Sequence, residues 1–348
     1  MPAEPTTVNL APWRVIELRP RDDLLLGCAE AVAEADAGAC AGTGRRDEQR
    51  WVLLRKDGHV LPLIDTRVTF PAGGLTAAAE VLAVVDLAES GFADGIGFVT
   101  EISPFHPVDH GWPDQGPDRG TVTIDGTDAE VVDVVMGATQ GRNLLVATNI
   151  PVRRGAPGWA FLVVHVLAAG TSGPAVGRRV HLQVDAVHRH TLSTGHSACH
   201  IAALALNAAL ADRWRKAVRI DGLGHPNFDQ QALAMSRIRP NGATDSYRLG
   251  KSLRKKGFDA TELSAATVTR QVNATLAGWV AHGASIRIEA QGPGLTDRRT
   301  WVCELPDGQE RILCGGTHLD SLAGVAAIEV EISIAETGLT METDATPG

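Results

Sequence analysis

Thr191-Leu-Ser-Thr-Gly-His196-Ser-Ala-Cys-His200 is the stretch on which the fold turns. Two histidines at i and i+4 of a helix lie on one face, one turn apart, and can converge on one metal ion. Ile201, Leu204 and Ala208 continue at helical spacing, so a helix is predicted over Ser193–Trp214 with an apolar side that anchors it. Histidines in its first turn would sit at an edge that a substrate can reach. No glutamate follows His196, so the zinc-protease pattern, in which that glutamate acts as base, is absent. Alone, the pair also fits two ordinary polar helix residues.

A second motif, Leu313-Cys314-Gly-Gly-Thr317-His318-Leu319, places a thiol and an imidazole four residues apart. Two intervening glycines allow a tight turn after a strand, so both side chains can face one point. Cysteine and neutral histidine suit zinc, and their softness disfavours magnesium or calcium. By itself CGGTH also describes a turn with a buried cysteine. Together the motifs offer a His196/His200/Cys314/His318 set, with Zn2+ as the expected cofactor.

Around these motifs the chain reads as an α+β protein in three parts. Residues 1–74 resemble a small α/β extension. It has a strand at Trp13–Leu18, a helix at Arg21–Ala37 and a hairpin around Lys56-Asp57-Gly58, and Pro71–Gly74 forms its linker. Residues 75–190 carry seven short apolar runs divided by turn residues, which predicts a small barrel or sandwich. Their long loop, Ser103–Gly120, is polar and rich in proline and glycine, the kind of segment that carries function on a rigid sheet. Residues 191–348 are mixed: the histidine helix, a helical and loop-like stretch over Gly242–Asn273, four strands, and a polar tail from Glu342 expected to fray.

The chain has 348 residues, 44% hydrophobic and 21% charged, a globular composition with ample length for a core. No apolar run approaches a membrane span, and Met1–Arg14 lacks the pattern of a secretory signal. Five scattered cysteines (28, 40, 199, 303, 314) do not form a disulfide framework, so a reducing cytoplasm is expected. The net charge is −9, unevenly distributed. Residues 213–256 hold eleven basic and three acidic side chains, a net +8, leaving −17 on the rest. An acidic body with one basic segment can hold a polyanion locally, although a solvated face explains the charges equally well.

The order HxxxH, about a hundred residues, then CxxxH resembles the AlaX-like trans-editing proteins, free-standing relatives of the editing domain of alanyl-tRNA synthetase. Asp185, Arg189 and His196 repeat the D-x3-R-x6-H order of that family. Ile102–Pro107 resembles its T-x-F-Y-P stretch, and Asp109–Gly116 its glycine-rich G-G-G-Q-P-x-D loop. The resemblance covers about residues 75–345. It implies a β-barrel domain followed by a zinc-bearing α/β editing domain. It also implies hydrolysis of the ester joining a wrong amino acid to tRNA, with His196, His200, Cys314 and His318 as the metal set.

Zinc-bound water is the expected nucleophile, since zinc lowers the pKa of its water to about 7. Four protein ligands close a tetrahedral site, so His318 is expected to bind weakly or to act behind the other three. Asp109, His110 and Asp114 are candidate bases. Ser103, His110, Trp112 and Thr317 are expected at the amino-acid pocket. Ser103 stands where the family has threonine and Trp112 where it has glutamine, Asp109 and His110 replace loop glycines, and Ser193 replaces a methionine. The first two changes suit a threonine-like ester such as fluorothreonyl-tRNA better than seryl-tRNA(Ala). Lys251, Arg254, Lys255 and Lys256 are the expected contacts to the acceptor end of a mischarged tRNA. The competing readings are a zinc hydrolase of a small acyl substrate without RNA, and a non-catalytic zinc protein that binds aminoacyl ends. The remaining features read as bland: Cys199 a small buried hydrophobe, His188 and His190 solvated, Trp214 closing the helix end.

Overall fold

The structure is a computed structural model that describes residues 14–18, 50–54, 60–87, 95–141 and 143–348. The expected helix at Arg21–Ala37, the Asp57-Gly58 turn and Cys28 and Cys40 lie outside the described residues. The architecture is mixed, with many strands and few helices. Strands β1 (Arg14–Leu18), β2 (Arg50–Leu54) and β3 (Val60–Pro62) pair antiparallel in that order.

The next part is built from β4 (Arg67–Val68), β5 (Thr76–Asp86), β6 (Ile96–Thr100), β7 (Ile102–Ser103), β8 (Gly120–Ile124), β9 (Thr127–Thr139), β10 (Leu144–Val146), β11 (Ala160–Leu167) and β12 (Arg179–Val184). The antiparallel pairings run β9-β11-β6-β5-β12-β8 and return to β9, a closed circuit of six strands with β10 on the far end of β9. Side chains alternate across a strand, and β11 shows the result. Phe161 and Val163 enter one core, while Leu162, Val164 and Val166 enter another on the opposite face. Phe70, beside the expected linker, is 2% exposed and belongs to the first of these cores, so Pro71–Gly74 follows a packed turn.

The C-terminal part comprises α1 (Ala186–Ala209), α2 (Phe228–Ala232), β13 (Leu233–Arg239), β14 (Gly242–Arg248), α3 (Lys251–Lys255), α4 (Ala265–His282), β15 (Ile286–Ala290), β16 (Arg299–Leu305), β17 (Gly308–Leu313), β18 (Val325–Ile334) and β19 (Gly338–Pro347). One sheet runs β13-β14-β19-β18 and another β15-β16-β17. A single core joins both to α1 and α4. No described helix is long and apolar enough to cross a membrane.

Three expectations are corrected, the first being that Gly242–Asn273 is helical and loop-like: it opens with β14, which pairs with β13 and β19. The histidine helix begins seven residues earlier than predicted, because Asp185 caps it by accepting from the Val187 and His188 N–H groups. His188 and His190 are thus helical, and His196 sits in the middle of α1 rather than in its first turn. The tail from Glu342 is not frayed: β19 is a central strand between β14 and β18. Its Met341, Thr343 and Ala345 point inward at period two, a pattern hidden by their polar neighbours.

The loop Ser103–Gly120 is tied to α1 by a buried ion pair. Arg189 Nε donates to Asp118 Oδ1 at 2.7 Å, Arg189 Nη2 also reaches Asp118 Oδ2, and Asp118 Oδ2 accepts from the His106 N–H. Asp118 is fully buried and Arg189 is 5% exposed. Asp118→Ala leaves that guanidinium without its counter-charge, and a loss of about 3–5 kcal/mol is expected in denaturant unfolding.

Candidate metal centre and its cavity

Helix α1 carries His196 and His200 to the point where the chain leaves β17 at Cys314 and turns to His318. One ligand atom from each of the four side chains lies within 4.8 Å of all the others, so the set could hold a metal ion. His196 Nε2 is 3.4 Å and His318 Nε2 3.2 Å from Cys314 Sγ. With Zn–S near 2.3 Å and Zn–N of 2.0–2.1 Å, tetrahedral ligation puts neighbouring S and N atoms about 3.6 Å apart. His200 Nε2 is buried and has no hydrogen-bond partner among the described residues. Such a buried imidazole nitrogen, beside a thiol and two more imidazoles, is a donor that a cation would satisfy.

Partners behind the set fix its orientation. Gln115 Oε1 accepts from His196 Nδ1–H at 2.7 Å and from the Thr317 N–H at 2.9 Å. Gln115 Nε2 donates to Thr317 Oγ1, which also accepts from Ser193 Oγ. Holding the proton on Nδ1 leaves the His196 Nε2 lone pair facing the cluster. Ser197 Oγ, which accepts from the Leu319 N–H, stands 3.3 Å from His318 Nδ1 and steadies the orientation of that ring. Gly316 makes the packing possible, since a Cβ there would overlap the His196 ring and Gln115 Oε1.

Burial pushes His196 down to about 3 and holds His200 and His318 well below the usual imidazole range, so all three are neutral, as ligation requires. Burial, with the nearby Asp114 charge, pushes the Cys314 thiol up to about 12. A bound cation reverses that preference and deprotonates the sulfur.

His196, His200 and Cys314 line a cavity of about 370 Å³. Its wall also includes His106, Asp109, Trp112, Asp114, Arg154 and Gly316. Asp114 Oδ2 lies 3.8 Å from His196 Nε2, and burial raises its carboxyl. His106 Nδ1 is buried and has no hydrogen-bond partner among the described residues.

The expected pocket residues are not all brought together. Trp112 lines the cavity and is 46% exposed. Thr317 lies directly behind Gly316, 3% exposed. Ser103 is fully buried, its Oγ 2.8 Å from His165 Nε2, and is not on the cavity wall. His110 turns away: its ring nitrogens meet Val152 O and Met136 Sδ. Asp109 is engaged by Arg154 and by the Gly111 and Trp112 N–H groups. A glutamine does stand at the site, but it is Gln115, three residues beyond Trp112. The signal for it is Gln115-Gly-Pro-Asp118, a glutamine three residues before the aspartate that holds Arg189.

Lys251, Arg254, Lys255 and Lys256 are exposed on and just after α3. Lys256 Nζ donates to Gln231 Oε1 at 2.7 Å, and Gln231 follows Gln230 and Asp229 of the cavity wall. The basic surface thus adjoins the cavity through α2. Trp214 packs edge-on against Phe258 at 5.2 Å, which accounts for it as a closure of the α1 end.

No protein-family model matches the chain. It is similar to alanine–tRNA ligases: 25% identical over 267 residues to that of Frankia alni, covering 74% of this chain and 25% of the ligase. It is 26% identical over 263 residues to that of an Anaeromyxobacter species, covering 73% and 24%, and 26% identical over 257 residues to that of Sorangium cellulosum, covering 73% and 23%. The chain spans about a quarter of the length of these relatives.

Proposed function

We propose that this protein is a trans-acting, zinc-dependent deacylase that hydrolyses the ester of a mischarged amino acid on tRNA. The observation that carries the reading is the convergence of His196, His200, Cys314 and His318, three of which, His196, His200 and Cys314, also line one cavity. A structural zinc knot, by contrast, is closed off within its ligands. The weak homology to alanine–tRNA ligases over about three quarters of the chain supports an aminoacyl-tRNA as substrate. The closed circuit of six strands supports the barrel reading of residues 75–190, preceded by the extension 1–74 and followed by the deacylase unit 191–348.

When bound by the four side chains, zinc supplies a Lewis acid for the ester carbonyl and acidifies water. Gln115 keeps the His196 imidazole in the ligating tautomer, and Ser197 orients the His318 ring. Asp114 Oδ2, beside the set and raised by burial, is the proton acceptor of this scheme. Trp112, on the cavity wall, offers an apolar face for the amino-acid side chain. It is the feature that supports a threonine-like ester such as fluorothreonyl-tRNA over seryl-tRNA(Ala). Exposed Lys251, Arg254, Lys255 and Lys256 hold the acceptor-end phosphates.

Release of amino acid from mischarged tRNAs and from small aminoacyl esters decides between the tRNA-dependent reading and a small-acyl hydrolase. Values of kcat/KM at least 100-fold higher for a tRNA ester are expected, and equal values contradict the tRNA role. Gln115→Ala removes the support of His196 and is expected to weaken zinc affinity 10- to 100-fold, read by competition with a chelator.

A further inference from the structure

The cavity continues along α1 from the His/Cys set to a second group of polar side chains: Cys199, Ser236, Asp245 and Asp229. Cys199 precedes His200 and follows His196 by three residues, so it leaves the helix toward the same wall. Its Sγ lies 3.4 Å from Asp245 Oδ2 and 3.7 Å from Ser236 Oγ. Ser236 and Asp245 face each other across the β13–β14 pair. Asp245 is 1% exposed, Ser236 5% and Cys199 8%. Cys199 is buried and packs with Ile238 and Ala243, as its sequence context suggests, and its sulfur also borders a polar recess.

That recess holds two carboxyl groups to which the described residues present no cation. Among the described residues, the side-chain neighbours of Asp245 are a thiol and a hydroxyl, and Asp229 takes only the Tyr247 hydroxyl on its side chain, at 3.2 Å. No described salt bridge involves either carboxylate. A buried carboxylate ordinarily meets a cation or several strong donors, and S–H is a weak one. Burial pushes Asp245 up to about 7, with the Asp229 charge adding to the effect, and burial pushes Asp229 up to about 6. Of the other acids on the wall, Asp109 is neutralised by Arg154, and Asp114 stands at His196.

Resting on the reading of the cavity as an aminoacyl-ester site, we propose that Asp245, with Asp229 beside it, binds the α-ammonium group of the aminoacyl moiety. An aminoacyl ester has lost its carboxylate, so the ammonium is the one charge its backbone retains, and it lies two bonds from the reacting carbonyl carbon. With the carbonyl at the His/Cys set, the ammonium must fall on a neighbouring wall. Asp245 is reached from that set through Cys199, the residue next to His200. A pocket that demands this charge accepts free aminoacyl ends and spares tRNAs whose amino group is acylated, including peptidyl ends. The discrimination comes from an ion pair that the wrong substrate leaves unmade.

The test compares one mischarged tRNA with its α-hydroxy counterpart, made by nitrous-acid deamination, which keeps the size of the group and removes its charge. Wild type is expected to hydrolyse the amino ester about 100-fold faster in kcat/KM. Asp245→Asn is expected to lose about that factor on the amino ester, to change little on the hydroxy ester, and to retain its metal. A wild type that cleaves both esters equally overturns the ammonium assignment while leaving the deacylase reading intact, and so does an Asp245→Asn variant with undiminished preference. A wild type that cleaves neither overturns the deacylase reading itself. If Asp245→Asn does not fold, Asp229→Asn takes its place, with a loss of preference of about tenfold or more expected and no loss overturning the assignment.

Discussion

Replacing His196 and His200 together by alanine is expected to lower bound zinc from about one ion per chain to less than about a tenth. Both residues lie on one face of α1, one turn apart, and together supply half of the candidate donor set. The remaining Cys314 and His318 cannot complete a tetrahedral site. The substituted face is buried against Trp301 and His318, so some loss of stability accompanies the change, and circular dichroism must show a folded protein. Elemental analysis after gel filtration reads the result. A folded double variant with a full complement of zinc places the metal elsewhere.

Charge reversal at Lys251, Arg254, Lys255 and Lys256 is expected to weaken tRNA binding about 1,000-fold at low salt. It is also expected to flatten the dependence of log affinity on log salt by about 3 to 4, close to one for each phosphate that is no longer neutralised. All four side chains are exposed, so the melting temperature is expected to stay within a few degrees. Filter binding at several salt concentrations measures the slope. An unchanged slope moves the RNA surface away from α3.

The candidate metal set is legible in the sequence because its chemistry is local: i and i+4 on a helix, and a thiol and an imidazole on either side of two glycines. Most strands of the middle part are legible for a similar reason, since β-branched runs and turn residues mark them without reference to partners. What stays hidden depends on neighbours distant in sequence. Ser103 reads as a pocket residue by position, yet its hydroxyl is spent on His165, 62 residues away. His110 reads as a loop histidine facing the substrate, yet Val152 O and Met136 turn it into the wall. Gln115 escapes notice because the loop before it is longer than the motif it resembles, so a register fixed on Ser103 runs three residues short. Its placement follows from Asp118, which only the buried pair with Arg189 identifies. The last strand is masked because composition outweighs alternation: Glu342 and Asp344 face away while Met341 and Thr343 fill the core.

Zinc-dependent deacylation is decided by single-turnover release of amino acid from a mischarged tRNA. Excess wild-type protein with its zinc is set beside the His196→Ala/His200→Ala variant, with seryl- and threonyl-esters on matched tRNAs. Release by the wild type is expected far above the rate of spontaneous ester hydrolysis. A loss of at least about 1,000-fold is expected in the variant, a size typical of removing the group that stabilises transition-state charge. Release at the spontaneous rate by the wild type, or equal release by a folded, zinc-free variant, contradicts the assignment.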